Sequence, residues 1–466
     1  MFVRDRAYGI ETEYGCIARM KSGTVLAPED FPAQFLQSYI RTYGANGGGL
    51  ISDGDRLWNL NGSLVYIDTG LHPEHATPEV RSLRDAVMYY KAGDLLMADI
   101  FSSIRGDLSI ELYKNNLSGG FVCDAGATYG CHENYLIYDY RAAPSELAKW
   151  DALIPFLVTR QIIDGAGCWD QEGSFFLSQR AFYMGRYRKE SSVPLSVKDI
   201  GRMARMHVTV GDSNIMEFAT FLKLGTFSLA LSLAEAEVAP DMRIDRSIMA
   251  FYDVACSGYR DPVLMLRSGE RVSALQVQTR YCEAARSQIK KARFQSIQAE
   301  AEFKRVLAYW EASLNALERN DIAWMLGRFD WATKKWFGRS GADEPQDTAL
   351  ERRRNLDVFY HALAPGSLQE RINAHWPDRR IVTDEEIVRA KTDPPSGTRA
   401  SSRGNLIRRM QALEKKFRVN MDWHCVTAGS PPKVFLHMDA PLKSYDDEVA
   451  SFIHSGSVWY ESLCSH

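Results

Sequence analysis

The chain has 466 residues, with 56 Lys and Arg against 59 Asp and Glu, so its formal net charge is -3 at pH 7. This near balance gives no global argument for nucleic acid or a membrane surface as a partner. Hydrophobic residues make up 45% and charged residues 25%, as in an ordinary soluble globular protein with one large or two modest domains.

The cysteines and the N-terminus favour a reducing compartment. Eight cysteines are scattered without CxxC pairs, so neither a structural zinc site nor a disulfide framework is predicted. The first residues, MFVRDRAYGIETEYG, hold no apolar signal core, and no apolar run approaches transmembrane length. We therefore predict a cytoplasmic protein with no nucleic-acid or membrane partner.

Residues 7–18 are predicted to form a strand with Glu11 and Glu13 on one face. Two adjacent carboxylates repel each other unless a cation neutralises them, and magnesium prefers oxygen ligands. The alternative is a pair of solvated carboxylates on an edge strand. A helix over residues 28–43 and a glycine run at 47–49 follow. The run lacks the Lys-Ser/Thr ending of a phosphate-binding loop, so we interpret it as an ordinary loop.

The central stretch of the sequence is residues 61–79, which read NGSLVYIDTGLHPEHATPE. Alternation along a strand places Leu64, Tyr66 and Asp68 on one face. Gly70 is predicted to end the strand, and Pro73 to fix a turn that brings Glu74 and Glu79 close behind. An aspartate with carboxylates just beyond it indicates a metal or phosphoryl-transfer site, and the alternative is a solvated strand end.

Two later strands carry similar chemistry. His132 and Asn134 share one face of the first, and Arg205 and His207 share one face of the second, although a lone histidine is often only structural. Together with Glu11/Glu13 and Tyr66/Asp68, four strands deliver groups suited to metal or phosphate. One curved antiparallel sheet that holds nucleotide and magnesium on its concave face would explain this recurrence. Polar strand residues facing solvent would also produce it.

The C-terminal part begins at the Pro-Pro-Ser-Gly sequence of residues 394–397, which predicts domains over 1–394 and 395–466. Residues 277–317 are predicted to be helical, and the tryptophans that follow are assigned to helix packing. A basic run then begins the smaller domain as a solvated helix face or as a docking surface for an acidic partner; its members are Arg399, Arg403, Arg408, Arg409, Lys415, Lys416 and Arg418.

Several long motifs resemble one family. They are YGIETEYG (8–15), DTGLHPEHATPE (68–79), KNN (114–116), YGCHENYLI (129–137), PFLVTRQI (155–162), LSQRA (177–181), HVTVGDSN (207–214), VTDEEI (382–387) and PPSGTRASSRG (394–404). In this order they resemble the Pup ligase and Pup deamidase/depupylase family. The resemblance implies an α+β fold related to glutamine synthetase: a large domain with a curved, mostly antiparallel sheet packed by helices, and a small C-terminal domain.

The resemblance also implies a reaction and its residues. The family's ligase uses ATP to phosphorylate the side-chain carboxylate of the C-terminal glutamate of Pup, a small protein modifier, and a lysine of the protein substrate then attacks the acyl phosphate. Asp68 would be the base. Magnesium ligands would be Glu11, Tyr66, Glu74, His132 and His207. Contacts to ATP would come from Thr77, Asn134, Arg205 and Trp423.

One position departs from the family, which usually has an ATP-contacting arginine where this chain has Leu64. Nucleotide affinity then depends on Arg56 or another cation, and a non-catalytic member is an alternative. The depupylase branch has an extra loop for which residues 16–60 leave no room, and YIDTGLHPEHAT is closer to the ligase pattern, whereas TPEVRSLRDAV leans toward the depupylase. We predict the ligase, with the depupylase and a small-molecule carboxylate-amine ligase as alternatives.

Overall fold

The computed structural model describes residues 2–25, 51–53, 56–102, 108–117, 128–138, 150–187, 193–199, 203–339, 344–413, 417, 419–429 and 433–464. The predicted helix over 28–43, the glycine run at 47–49 and the basic residues Lys415, Lys416 and Arg418 lie outside these residues.

The strands are short and spread along the chain. They are β1 (Phe2–Val3), β2 (Tyr8–Glu13), β3 (Gly15–Met20), β4 (Ile51–Asp53), β5 (Arg56–Trp58), β6 (Leu64–Ile67), β7 (Pro73–Ala76), β8 (Leu108–Tyr113), β9 (Cys131–Tyr138), β10 (Cys168–Trp169), β11 (Phe175–Phe176), β12 (Leu195–Asp199), β13 (Met203–Val208), β14 (Leu264–Met265), β15 (Arg271–Val272), β16 (Arg293–Phe294), β17 (Val419–Met421), β18 (Cys425–Ala428) and β19 (Val434–His437).

The helices occupy most of the second half of the chain. They are α1 (Leu83–Ser102), α2 (Ile154–Thr159), α3 (Gln161–Asp164), α4 (Gln179–Tyr187), α5 (Glu217–Glu235), α6 (Ser247–Ser257), α7 (Ala274–Ile289), α8 (Ile297–Arg319), α9 (Ile322–Met325), α10 (Asp330–Phe337), α11 (Gln346–Phe359), α12 (Leu368–His375), α13 (Asp384–Ala390), α14 (Arg399–Ala412) and α15 (Asp446–Cys464). Short 3-10 turns span Asp151–Leu153 and Pro377–Arg379.

The chain forms two compact units. The split unit combines Ala7–Leu112 with Val382–His466, and the central unit combines Met1–Arg6 with Tyr113–Ile381. The predicted division into domains at residue 394 stays a prediction, and each unit is described by itself below.

The split unit contains a five-stranded antiparallel sheet in the order β2-β7-β6-β5-β4. A second antiparallel sheet joins β17, β18 and β19 near the C-terminus. The predicted strand at 64–68 is present as β6, but it ends at Ile67, so Asp68 lies in the following turn and not in the strand. Two further details of the prediction were wrong. Residues 7–18 form two strands, β2 and β3, and Pro73 begins β7 rather than a turn, since proline is tolerated at the first residue of a strand.

One apolar core holds the split unit together. Trp58, Leu64 and Ala76 from the five-stranded sheet pack with residues of the C-terminal segment. These partners are Leu406, Ile407, Met410, Phe417, Val419, Met421, Val426, Ala428, Leu436, Met438, Tyr445, Val449 and Phe452. Burying a large apolar side chain stabilises the fold by about 1.5–3 kcal/mol, so the two segments of this unit depend on each other for their stability.

The central unit is mainly helical. Its sheet runs β12-β13-β9, antiparallel throughout. Phe156 packs against Phe227, Tyr281 and Trp310 with ring centroids 5.5–6.0 Å apart. The predicted helical stretch over 277–317 is two helices, α7 and α8, with β16 between them. Antiparallel sheets with packed helices confirm the predicted α+β class.

The helix α5 is the one described helix long and apolar enough to cross a membrane, and all of its most apolar window is buried inside the protein. Asp330 holds the start of α5, because its Oδ1 accepts the N–H groups of Ile215 at 3.0 Å and Met216 at 3.2 Å. These bonds satisfy backbone donors that a helix start leaves without intrahelical partners.

Candidate active site

Cross-strand pairing in the split unit aligns the predicted metal ligands. Residues directly opposite each other in an antiparallel pair share a face of the sheet. Glu13 is opposite Glu74, Glu74 is opposite Tyr66, and Tyr66 is opposite Arg56. The next row of the same face consists of Glu11, Ala76, Leu64 and Trp58. The sheet thereby places three carboxylates and a phenol on one surface.

Burial and neighbouring carboxylates both raise pKa values on this surface. Burial raises the pKa of Tyr66 well above its usual value, and the carboxylates of Glu74 and Glu11 raise it further. Burial likewise raises the pKa of Glu74 well above its usual range, and Glu11 adds to that shift. A divalent cation would relieve this repulsion, because an oxygen-only donor set is what magnesium prefers. The residues present therefore fit such an ion.

Asp68 lies in the tight turn that joins β6 to β7. Its Oδ1 accepts the backbone N–H of His72 at 2.7 Å, and its own backbone N–H donates to the carbonyl of His72 at 3.0 Å. Burial raises the pKa of Asp68, the bond from the His72 backbone opposes the shift, and Glu13 adds to it. A carboxylate with a raised pKa is a stronger base than an exposed one, so Asp68 is suited to accept a proton.

The turn contains a strained residue. Leu71 has a φ of 62°, in the left-handed region, and is 54% exposed. A bulky residue in that region is an outlier that persists when surrounding contacts impose it. The backbone bonds between Asp68 and His72 are contacts of this kind.

His72 contacts both carboxylates beside it. Its Nδ1 lies 3.0 Å from Oε2 of Glu13 and 3.7 Å from Oδ2 of Asp68. The three side chains hold their potential ligand atoms within 4.8 Å of one another. The sequence interpretation assigned His72 no role and kept Glu13 only as a candidate beside Glu11. The signal was present, since His72 follows Gly70 by two residues and a glycine-containing turn returns the chain toward Asp68.

Thr77, predicted to contact ATP, is buried at the junction of β2 and β7. Its Oγ1 accepts the N–H of Ile10 at 2.9 Å, and its N–H donates to the Ile10 carbonyl at 2.9 Å. Its contact with nucleotide stays a prediction.

Trp423, also predicted to contact ATP, is held by a buried arginine. The Arg403 guanidinium carbon lies 5.0 Å from the ring centroids of both Trp58 and Trp423, and its Nη1 donates to the Trp423 carbonyl at 3.1 Å. Arg403 and Arg399 both pair with Glu79 and hold the pKa of that carboxyl at about 2, although its burial acts in the opposite direction. Glu79 therefore does not belong to the acidic surface, and the first two members of the basic run are not solvated.

The central unit brings together its own four predicted residues. His207 is opposite Asn134, and Arg205 is opposite Leu136, so His132, Asn134, Arg205 and His207 share one face of β9 and β13. The rings of His132 and His207 have centroids 5.1 Å apart. Two neighbouring imidazoles are a usual feature of cation sites. A role of this pair in binding magnesium stays a prediction.

Leu64 belongs to the core of its unit. It is 3% exposed, with Trp58 and Ala76 directly opposite on either side. Arg56, in contrast, is exposed and lies across the strands from Tyr66. The position at which the family usually has an arginine is therefore a buried apolar position in this chain.

The antiparallel sheets packed by helices place the protein in the α+β class, and the carboxylate-rich surface beside an aspartate-bearing turn is a candidate cation site. The family model described as "Pup-ligase protein" matches residues 6–427, and the chain belongs to this family.

The Pup–protein ligase of Acidimicrobium ferrooxidans is 32% identical over 97% of this chain and 98% of its own length. That of Mycobacterium ulcerans is 33% identical over 97% and 99%. The crystal structure of the complex between prokaryotic ubiquitin-like protein Pup and its ligase PafA matches with a TM-score of 0.83 at 27% identity, covering 97% of this chain and 93% of that one. PafA in complex with ADP matches with a TM-score of 0.77 at 27% identity, covering 93% and 95%.

Proposed function

We propose that this protein is an ATP-dependent ligase that joins the C-terminal glutamate side chain of a Pup-like modifier to lysines of protein substrates through a glutamyl phosphate. The observation that carries the proposal is Asp68, a partly buried carboxylate held by the turn beside the acidic surface, in a chain that is similar over 97% of its length to Pup–protein ligases. The compartment that fits this activity is the cytoplasm.

Asp68 has the chemistry needed for the second half of this reaction. A lysine is protonated at neutral pH and attacks an acyl phosphate only after losing a proton. Desolvation of the carboxylate raises its pKa and so its affinity for that proton. General-base catalysis of this kind contributes about 10²–10⁴ in rate. In this proposal Asp68 accepts the lysine proton as the nitrogen bonds to the acyl carbon and phosphate leaves.

The acidic surface serves the first half of the reaction. When bound, magnesium would neutralise phosphate and carboxylate charge while ATP and the modifier's glutamate approach each other. Glu11, Tyr66 and Glu74 are the proposed magnesium ligands of the split unit, and His132 and His207 are those of the central unit. Thr77, Asn134, Arg205 and Trp423 are the proposed contacts to ATP.

Arg56 is the residue we propose in place of the missing family arginine. It is exposed on the same face as Tyr66, whereas Leu64 is buried in the core. Arg56→Ala is expected to raise KM for ATP by roughly tenfold, as loss of one charge-assisted hydrogen bond does. An unchanged KM for ATP would assign nucleotide binding to other cations.

The test of the function uses the full chain with ATP, magnesium, a Glu-ended Pup-like modifier and a lysine-bearing acceptor. The intact mass of the acceptor is expected to rise by the mass of the modifier less one water. Cleavage of a preformed conjugate without any ligation would instead identify a depupylase. Turnover of free glutamate and an amine without a modifier would indicate a small-molecule ligase, and silence in all assays would favour a non-catalytic protein.

A further inference from the structure

The Asp68–His72 turn positions its two ends by reciprocal bonds. The His72 N–H donates to the Asp68 side chain at 2.7 Å, and the Asp68 N–H donates to the His72 carbonyl at 3.0 Å. Leu71 adds a bond from its N–H to the Asp68 carbonyl at 3.2 Å. The Asp68 carboxylate is thus attached to the backbone of His72, and any shift of His72 moves it.

The His72 side chain anchors this turn to β2. Its Nδ1 is 3.0 Å from Oε2 of Glu13, which is 7% exposed. An ionised carboxylate only accepts hydrogen bonds, so Nδ1 is the donor in the tautomer that this contact requires of an ionised Glu13. The next residue, Pro73, starts β7 and limits the backbone, and Glu74 on that strand is opposite Glu13. The imidazole is therefore a side-chain link between the turn and the neighbouring strand.

The space around the ring is also restricted. A Cβ at Gly70 would lie 3.0 Å from Cε1 of His72 and 3.1 Å from Oδ2 of Asp68. The turn therefore passes close to the ring and the carboxylate, and a side chain at position 70 would require these groups to shift by a few tenths of an ångström. Ring, carboxylate and turn form one packed group.

We propose that His72 is a positioning residue, which fixes the Asp68 carboxylate for attack by lysine by tying the Asp68–His72 turn to Glu13. The inference rests on the proposed ligase function and deepens it. Without this tie, Asp68 keeps its backbone bonds and β7 stays paired with β2, but the turn loses the side-chain bond from His72 to Glu13. A misplacement of about 1 Å at a reacting group costs about 10²-fold in rate. The loss falls on transfer to lysine, the step that uses Asp68.

The variants His72→Ala, His72→Gln and His72→Asn separate this role from others. The amide nitrogen of asparagine reaches the position of Nδ1, whereas that of glutamine reaches the position of Nε2. Asparagine is therefore expected to retain the bond to Glu13. His454→Ala, on the exposed face of α15, is the matched control.

Two steps are measured in single turnover: release of ADP with the modifier but no acceptor, and transfer to an acceptor lysine. Alanine and glutamine are expected to slow transfer about 10- to 100-fold, with ADP release within about twofold of wild type. Asparagine is expected to recover transfer to within about fivefold of wild type. Melting temperatures of all variants are recorded in parallel.

Four results would overturn the inference. Transfer by His72→Ala at the wild-type rate would remove the positioning role, as would an asparagine variant no better than glutamine. Equal slowing of both steps would assign His72 a general structural role. Restoration of His72→Ala by added magnesium would make His72 a metal ligand. The proposed function fails separately, if wild-type protein gives no adduct at all.

Discussion

Glu74 and Glu79 lie five residues apart in one stretch of sequence, yet their environments are opposite. Glu74 faces other acidic groups, and its pKa is raised well above the usual range by burial and by Glu11. Glu79 faces two arginines, and its pKa is about 2. Both side chains are mostly buried, so burial alone does not explain why the two pKa values shift in opposite directions. The sign of the neighbouring charges does.

The difference concerns the charges around each carboxylate. The charge of the buried Glu79 carboxylate is neutralised by two arginines, and these ion pairs join the two segments of the split unit. Buried anions with acidic neighbours on the same face raise one another's pKa, and folding retains them at the expense of stability. Their repulsion becomes useful when a ligand supplies positive charge. Variants in the two regions should therefore affect different measurements.

The largest effect is expected for Asp68→Asn, which should reduce transfer to lysine by about 10³-fold or more while ATP remains bound. The amide keeps the shape of the side chain but does not accept the proton. Adduct formation is followed by intact mass and ATP affinity by calorimetry, with the exposed Asp439→Asn as control. Near-normal transfer by Asp68→Asn would remove Asp68 from the role of base.

Arg403→Met should lower the free energy of unfolding by about 3–5 kcal/mol, because it leaves Glu79 as a buried charge with one partner fewer. It also removes the cation between Trp58 and Trp423. Arg409→Met, on the exposed side of the same helix, should change stability by less than about 0.5 kcal/mol. Urea unfolding measures both. Equal effects of the two substitutions would contradict the importance of the buried pair.

Glu74 and Glu79 should make the free energy of unfolding depend on pH in opposite directions. Glu79 has a folded pKa of about 2, so its contribution is complete above about pH 4.5 and is lost as pH falls toward 2. The shift corresponds to about 3 kcal/mol. Glu74 has a raised folded pKa, so the free energy of unfolding falls as pH rises above its unfolded value of about 4.3.

Urea unfolding between pH 2 and 8 with a metal chelator tests this contrast. Glu79→Gln should flatten the acid side of the profile, and Glu74→Gln should reduce the decline at higher pH. Glu351→Gln, at an exposed position of α11, should leave the profile unchanged. Parallel profiles for Glu74→Gln and Glu79→Gln would show that the two regions do not differ as described.

The smallest effect is expected for Leu71→Gly, which should raise the free energy of unfolding by up to about 1 kcal/mol. Glycine adopts a positive φ without strain, and the exposed Leu71 side chain contributes little to packing. Leu71→Ala should give no such gain, because alanine keeps the Cβ that opposes this conformation. Chemical denaturation midpoints distinguish them, and equal midpoints would show that the backbone is not strained.

Local sequence predicted much of the region around the site. Alternation in β6 placed Tyr66 and Leu64 on one face, and the strands that carry His132 and His207 are present with the expected faces. These inferences depend on neighbours two residues apart, which a sequence displays directly. The roles assigned to these residues stay predictions.

Other features depend on contacts that local pattern does not encode. Glu79 was grouped with Glu74 because the two are close in sequence, whereas its partners Arg399 and Arg403 are more than 300 residues away along the chain. Pro73 was assigned to a turn from its usual preference, although it begins β7. The local pattern does not indicate His72, because its contact with Glu13 joins the turn before β7 to β2. A single sequence does not specify the register of these two strands.

The split unit also determines the order in which the protein can fold during synthesis. Trp58, Leu64 and Glu79 leave the ribosome long before Arg403 and the apolar residues that cover them. Until residues 382–466 are made, the early strands present an uncovered apolar face and an acid without its arginines. Contacts so distant in sequence form slowly, and exposed strands of this kind are prone to aggregate. Chaperone dependence of the nascent chain should therefore be greatest while residues 113–381 are being translated.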